Sequence, residues 1–430
     1  MSRKIMLLVF VLILLLTAGL TDAQDEPIRI GILTDQSGWL SVYGVEQQNG
    51  FELGLLYAAG VDPLEYDSLE DALAAVEVAG RPVEIIVYDY GSADAAADAD
   101  NAAAGARELI ESNFVDIIFG TPNSGAAIQV QQITSPDEFN LLFMAGPSAS
   151  PSITGANFNP NTFRVCRNTN HDAAALTTVA DQFGQTYIQI AVDTDFGRAT
   201  AAAFQASLSA KGIEPVGDVL LVPTDVTDFT PFIQQIIDSG ADFVNPILAG
   251  GPITLWTQQS EELGLTDAVL TLTGTNSNDF IVAAPPAPGS VAYIVYQYTL
   301  PKTEINDWLT DRHIQVFNDV PDLFTECGFA TAQALVAGLE ATGGDPSPEA
   351  MIPALEGLEF EGPRGAYTIR EADHQVLMDQ YVIRFMGVED VQLRDDLTMT
   401  LPIYELFAEI PAADINLPCQ LEGDYAARCG

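Results

Sequence analysis

The run Ile28-Arg29-Ile30-Gly31-Ile32-Leu33 is followed by the loop Asp35-Gln36-Ser37-Gly38-Trp39-Leu40-Ser41-Val42-Tyr43-Gly44 and then by an amphipathic stretch over residues 45–59. A short apolar run bounded by turn residues reads as a buried strand, and the longer run after it as a helix. The pattern repeats as a strand over 83–88, an Ala-rich helix over 93–111 and a strand over 115–119. After residue 160 it starts again: a strand over 187–193 ends in Asp193, as the first ended at Asp35, and a helix over 196–210 follows. Helices over 229–238 and 253–263 then alternate with strands over 243–248 and 269–273, and a long helix covers 326–341. This alternation predicts parallel sheets covered by helices, and its recurrence predicts two similar α/β lobes. The acidic segment 61–80 reads as a solvated excursion or short helix.

The chain has 430 residues, with 60 acidic against 16 basic side chains and a formal charge of -44. Phosphate-gripping proteins need clustered cations, so nucleic acid is excluded as a partner, and so is an anionic membrane surface. Apolar residues make up 48% of the chain, which is too many for an acidic disordered segment. Arg3 and Lys4 precede an apolar run over 5–16, and Thr21-Asp22-Ala23 offers small residues beyond it. This is a secretory signal pattern with cleavage expected after Ala23; an uncleaved anchor is the alternative. Export makes the cysteines readable as disulfides. Cys419 and Cys429 are the expected bridge, while Cys166 and Cys327 either pair or stay as buried thiols. The three histidines, His171, His313 and His374, are isolated, so no zinc site is expected.

Catalytic motifs fail one by one. Gly146-Pro147-Ser148-Ala149-Ser150 lacks the last glycine of a nucleophile elbow, and the 120–125 loop lacks the Lys-Ser/Thr of a P-loop. Carboxylates are so common here that a glycosidase pair carries no specificity. What remains is a set of neutral, hydroxyl-rich loops after strands: residues 35–44, 123–125, 147–150, 195–197 and 275–278. In open parallel sheets ligands bind beyond the carboxyl ends of strands, and hydroxyls with helix N-terminal amides cradle a carboxylate. Each loop alone also reads as ordinary turn and N-cap chemistry.

Taken in order, the pieces are more specific. Ile30-Gly31-Ile32-Leu33, Ser37-Gly38, Tyr43-Gly44, Asn49-Gly50 and Glu52-Leu53 open the series, followed by Tyr88-Asp89, Phe119-Gly120 with Ser124, and Thr162-Phe163-Arg164. Asp195-Phe196-Gly197, Asp228-Phe229, Ala241-Asp242-Phe243-Val244 and Glu361-Gly362-Pro363 complete it. From about residue 28 to 386 the chain resembles the type I periplasmic solute-binding proteins, in the leucine/isoleucine/valine-binding branch. The resemblance implies two Rossmann-like lobes joined by three hinge crossovers, expected near residues 162–164, 296–299 and 360–365, closing on a ligand. With the signal peptide over 1–23, it divides the chain into a first lobe from 24–163 plus 298–361 and a second from 164–297 plus 362–387; a C-terminal extension over 388–430 departs from the family and is expected only to pack on the second lobe.

Family positions carry over as expectations. Tyr43 covers the ligand; Ser124 donates its hydroxyl to a carboxylate; Pro147, Ser148 and Ala149 form the backbone cradle; Phe196 closes from the second lobe. Gly250, Thr275 and Asn276 stand where the family has its second-lobe contacts, yet the stretch 274–277 lacks the usual acidic partner of an ammonium and 248–251 lacks the usual aromatic. A buried ammonium without an anion is costly, so either Glu326 replaces that acid or the ligand has no ammonium. The function implied is an extracytoplasmic receptor of an ABC importer for a small amino-acid-like solute. It is not an enzyme, needs no cofactor or metal, and is expected as a secreted, periplasmic or cell-surface monomer partnered by an ABC permease complex. An amide, a urea-like compound or a small carboxylate is the alternative ligand, a signalling sensor the alternative role, and an exported hydrolase the remotest reading. The acid excess reads as a property of the exterior that disfavours anions, a dicarboxylate above all.

Overall fold

A computed structural model describes residues 26–92, 95–274 and 277–430; the expected signal peptide lies outside them. The first lobe is built on β1 (Ile28–Thr34), α1 (Ser41–Ala59), β2 (Arg81–Asp89), α2 (Asp98–Glu111), β3 (Ile117–Gly120), α3 (Ser124–Ile133), β4 (Leu142–Ala145) and β5 (Thr162–Arg164). β1 runs parallel to both β2 and β3, and β4 and β5 extend the sheet on the β3 side. The short pair Glu77–Val78 adds an antiparallel edge beyond β2 and belongs to the excursion over 61–80, which also holds the one-turn helix Leu69–Ala74.

The second lobe follows with α4 (Thr169–Ala180), β6 (Thr186–Val192), α5 (Asp195–Ala210), α6 (Thr230–Ser239), β7 (Phe243–Ile247), α7 (Gly251–Glu262), β8 (Leu270–Gly274) and β9 (Val291–Ile294). β6 to β9 are parallel neighbours. The chain then returns to the first lobe as α8 (Glu304–Phe317) and α9 (Leu323–Thr342), followed by a small sheet of β10 (Glu359–Gly362), β11 (Gly365–Ile369) and β12 (Val376–Leu377). It ends in a long hairpin, β13 (Gln380–Arg394) and β14 (Leu397–Ile410), which joins the second sheet antiparallel to β9.

Two expected boundaries move. Tyr367, Ile369, Val376 and Met378 sit in the core of the first lobe, whereas Val382 and Ile410 sit in that of the second. The third crossover therefore lies at residues 378–380 rather than 360–365. The expected boundary at 387/388 falls inside β13, because the outer half of that strand is paired residue by residue with β14. The extension does not stay on the second lobe either. After Ile415, which packs in that lobe's core, Arg428 donates to the Ala372 carbonyl at 2.9 Å and to the Glu356 carboxylate at 2.5 Å, both first-lobe partners. The first two crossovers lie close to their expected places, between β5 and α4 and between β9 and α8.

The sequence explains why α1 and α9 form the first lobe's inner layer. α9 is apolar almost all round, begins at an Asp322–Thr325 capping box and stops at Gly343 with φ 69°. It packs on α1 through small residues: a Cβ on Gly50 would stand 1.9 Å from the Thr325 carbonyl oxygen. Backbones that close leave no room for a larger residue. Beneath them the rings of Phe51 and Phe119 stack with centroids 4.2 Å apart, an arrangement adding about 0.5–1.5 kcal/mol beyond area burial. Both cysteine pairs are bridged, Cys419 with Cys429 as expected and Cys166 with Cys327, which settles the open alternative.

Candidate ligand-binding site

A cleft of about 230 Å³ opens between the lobes, at the carboxyl ends of both sheets. On the first-lobe side it is shaped by a chain of side-chain bonds. Asp35, buried at the end of β1, accepts from the amides of Gly38 (2.6 Å) and Leu40 (3.0 Å), folding the loop so that Trp39 and Leu40 face the cleft. Gly44 is required there, because a Cβ would meet the Asp35 carbonyl oxygen at 1.8 Å. The Trp39 indole donates to Asp98 at 2.7 Å, and Asp98 accepts from the Asn123 amide at 3.2 Å. Asn123 in turn caps α3 by accepting from the Ala126 amide.

Ser124, at the first position of α3, lines the cleft; its Oγ accepts from the Ser150 amide at 3.1 Å, which leaves its O–H to donate. The 147–150 loop is held from below by the wholly buried Arg164, which donates to the carbonyls of Ser148 (3.1 Å) and Ser150 (2.6 Å) and to Gln375 (2.8 Å). A buried guanidinium satisfied by several oxygens fixes that backbone. Pro147 and Ala149 line the cleft, as expected, but the Ser148 hydroxyl turns away and donates to the Thr121 carbonyl.

The floor carries a cation that the sequence reading missed. Arg167 lies in the first crossover, is 5% exposed and lines the cleft; it donates to the Pro147 carbonyl at 2.8 Å and pairs through Nε with Asp172 at 3.3 Å. Burial first, and then Arg164, Arg370, Arg167 and Arg364, push the His171 imidazolium down to about 3. Burial also raises the Asp172 carboxyl to about 6, against the pull of Arg167. No motif marks Arg167; its only signal in the sequence is its place between a strand that ends the first lobe and a helix that begins the second.

The opposite wall comes from the second lobe. Thr194 caps α5 by accepting from the Gly197 amide, which sets Asp195 and Phe196 at the cleft, Asp195 exposed at its mouth. Thr200 and Phe204 lie a turn or more further along α5, and Asn245, Thr273, Phe280 and Tyr293 complete the wall. Thr275 and Asn276 lie outside the described residues. The lobes touch across the cleft: the Gly250 amide donates to the Tyr43 hydroxyl at 3.3 Å, and the Phe280 ring meets Tyr43 edge-on at 5.6 Å. Tyr43 also stacks on Phe324 at 4.0 Å. Gly250 is thus a latch between lobes rather than part of the cleft wall.

Glu326 is not in the cleft. It is fully buried one turn into α9, pairs with Arg364 at 3.2 Å and accepts from the Tyr367 hydroxyl. Arg364 in turn donates to the carbonyls of Val295 (3.0 Å) and Asp379 (2.8 Å), one in each of the two later crossovers. The reason is simple: the first turn of α9 points its acid at a buried guanidinium that bridges those crossovers, so charge pairing holds it in the hinge.

The family model described as periplasmic binding protein matches residues 27–389. The chain belongs to the periplasmic binding protein family. Among curated relatives, this periplasmic binding protein is 23% identical over 376 residues to the Leu/Ile/Val-binding protein homolog 6 of Brucella melitensis, covering 86% of this chain and 90% of the relative. Among solved structures it resembles an ABC-type branched-chain amino acid transporter protein of Rhodopseudomonas palustris, with a TM-score of 0.71 and 27% identity over 92% of this chain and all of the other. A solute-binding protein of an ABC transporter from R. palustris BisB5, in complex with 3,4-dihydroxybenzoic acid, superposes with a TM-score of 0.74 at 21% identity, covering 90% and 98%. The two lobes, the crossovers and the cleft between them are those of a solute-binding receptor. Among the described residues no helix is long and apolar enough to cross a membrane.

Proposed function

We propose that this protein delivers a small carboxylate with an apolar body to an ABC permease. The observation that carries the reading is Arg167, a buried cation at the floor of a cleft walled mostly by aromatic, aliphatic and neutral polar groups. One of its N–H groups is hydrogen-bonded to the Pro147 carbonyl and its charge is paired with Asp172, and its remaining N–H groups, with the Ser124 hydroxyl, are suited to a carboxylate. Trp39, Phe196, Phe280 and Tyr293 are suited to a flat or branched apolar body. The benzoic acid named for the R. palustris neighbour has this chemistry. An amino acid is the second reading, favoured by Asp195 at the mouth, the one acid lining the cleft among the described residues. The receptor binds and releases its solute without turnover, works as a monomer, and reaches the extracytoplasmic side through a cleaved signal over residues 1–23.

Calorimetric titration with benzoate, leucine and leucinamide separates the readings. Benzoate is expected to bind and leucinamide not, and Arg167→Ala should cost about 1.5–3 kcal/mol, the range for a hydrogen bond to a charged group. Leucine binding without benzoate binding would transfer the site to the amino-acid reading.

A further inference from the structure

Behind the cleft a second cavity, of about 540 Å³, opens on the second lobe between α7 and the sheet face formed by β8, β9 and β13, with the exposed Glu261, Thr266, Pro285, Ala287 and Pro288 at its mouth. Trp256, Ile281, Val291, Ala292, Ile383 and Phe385 line it and are all buried. The packing on its two sides belongs to separate clusters, Trp256 with the α6 side and Ala292, Ile383 and Tyr404 with the hairpin side, so the lobe's core is divided here. Its buried apolar end is of a size to take a hydrocarbon group, since an apolar cavity of about 150 Å³ is already enough to hold benzene. Among the polar side chains that line it, the Ser260 hydroxyl is 3% exposed and has no hydrogen-bond partner.

The two cavities share a wall. Pro246, Leu248, Ile253, Thr273, Gly274 and Ile281 line both. That wall is not a hydrogen-bonded ladder. β7 and β8 are paired only at Phe243–Leu270 and Val244–Thr271. Beyond those pairs Pro246 has no N–H to give, and the strands are linked by side chains instead, Asn245 donating to the Leu272 carbonyl at 2.9 Å and the Thr273 hydroxyl to the Pro246 carbonyl at 2.8 Å. Side chains can turn aside where a ladder cannot.

We propose that the inner cavity is a second subsite of the solute site, which takes the far end of an elongated carboxylate whose head is held at Arg167. The apolar body passes between β7 and β8 at the shared wall, and Ser260 meets a polar atom at the distal end. This deepens the carboxylate reading and rests on it.

The test is calorimetry of the full-length mature protein with benzoate, 4-butylbenzoate and 4-octylbenzoate, then with the same ligands on Thr257→Phe, which places a ring in the inner cavity from the half-buried face of α7. The octyl compound is expected to bind at least tenfold more tightly than benzoate, with one ligand per chain, and Thr257→Phe should reduce that advantage at least tenfold while a melting curve reports an intact fold. An affinity that stays flat or falls with tail length would overturn the subsite while leaving the carboxylate reading standing. Two ligands per chain would show a separate site and overturn it as well. If no member binds, both readings fall.

Discussion

Tyr43 offers its hydroxyl oxygen to the Gly250 amide across the cleft while its ring is clasped between Phe324 and Phe280. The Phe324 contact lies within the first lobe, whereas the hydrogen bond spans the two lobes. Tyr43→Phe should therefore weaken ligand binding roughly two- to tenfold, the equivalent of about 0.5–1.5 kcal/mol, with little change in melting temperature; an unchanged Kd would remove the latch. Asp319 offers a pH test. Burial first, then Glu46, raises its carboxyl from 3.8 to about 6. The native state then holds this proton more tightly than the unfolded chain, so the contribution of Asp319 to stability declines as pH rises from about 4 to 6. His313 is also raised, and its share is lost at higher pH, as the pH climbs through its native value. Asp319→Asn removes this titration and also one of the charges that raise His313, so the comparison is read below the His313 range: the variant should gain stability relative to the parent between about pH 4 and 6 in urea melts, and a pH-independent difference there would contradict the assignment. At this scale the sequence was partly legible. Tyr43, Ser124, Pro147, Ala149 and Phe196 reach the cleft or its edge because they follow strands. Glu326 and Arg167 were misread or missed because the identity of a charge's partner depends on how three crossovers stack, which no local spacing encodes. The acid excess suggested a cleft hostile to anions; the buried Arg167 sets a cation among its lining residues.

The contact between α1 and α9 illustrates the scale of whole elements. Gly50→Ala pushes a methyl group into the Thr325 backbone, which cannot swing away as a side chain can, so a loss of about 1–3 kcal/mol is expected from chemical denaturation. A neutral outcome would mean that α9 slides without cost. Most elements announced themselves, since buried parallel strands are apolar runs and their helices have long amphipathic patterns. The hairpin β13–β14 did not. Its outer half carries the exposed Glu389 and Asp390 on opposite faces, and its pairing satisfies the backbone without an apolar run to betray it.

Across the whole molecule, the two disulfides differ in what they constrain. Cys166–Cys327 closes 161 residues and ties the first crossover to α9, whereas Cys419–Cys429 closes 10 at the tail. In the chain-entropy model these loops are worth roughly 5 and roughly 3 kcal/mol. Replacing both residues of the first pair by Ala should lower the melting temperature more than replacing both of the second; the reverse order would show that the tail staple holds the structure. The hairpin adds another link between lobes. Its tip leaves the second lobe and reaches α8 of the first, where Arg394 donates to the Ile314 carbonyl at 2.7 Å and to Asn318 at 2.6 Å, and Leu401 packs with Ile314 and Val320. A clamp with three peptide hinges swings freely on one side; with a strap tied across, its travel has an end stop. The resting ensemble then keeps a larger closed fraction, and since apparent affinity scales with the competent fraction, the receptor holds scarce solute well at the expense of a slower release to whatever must pull it open.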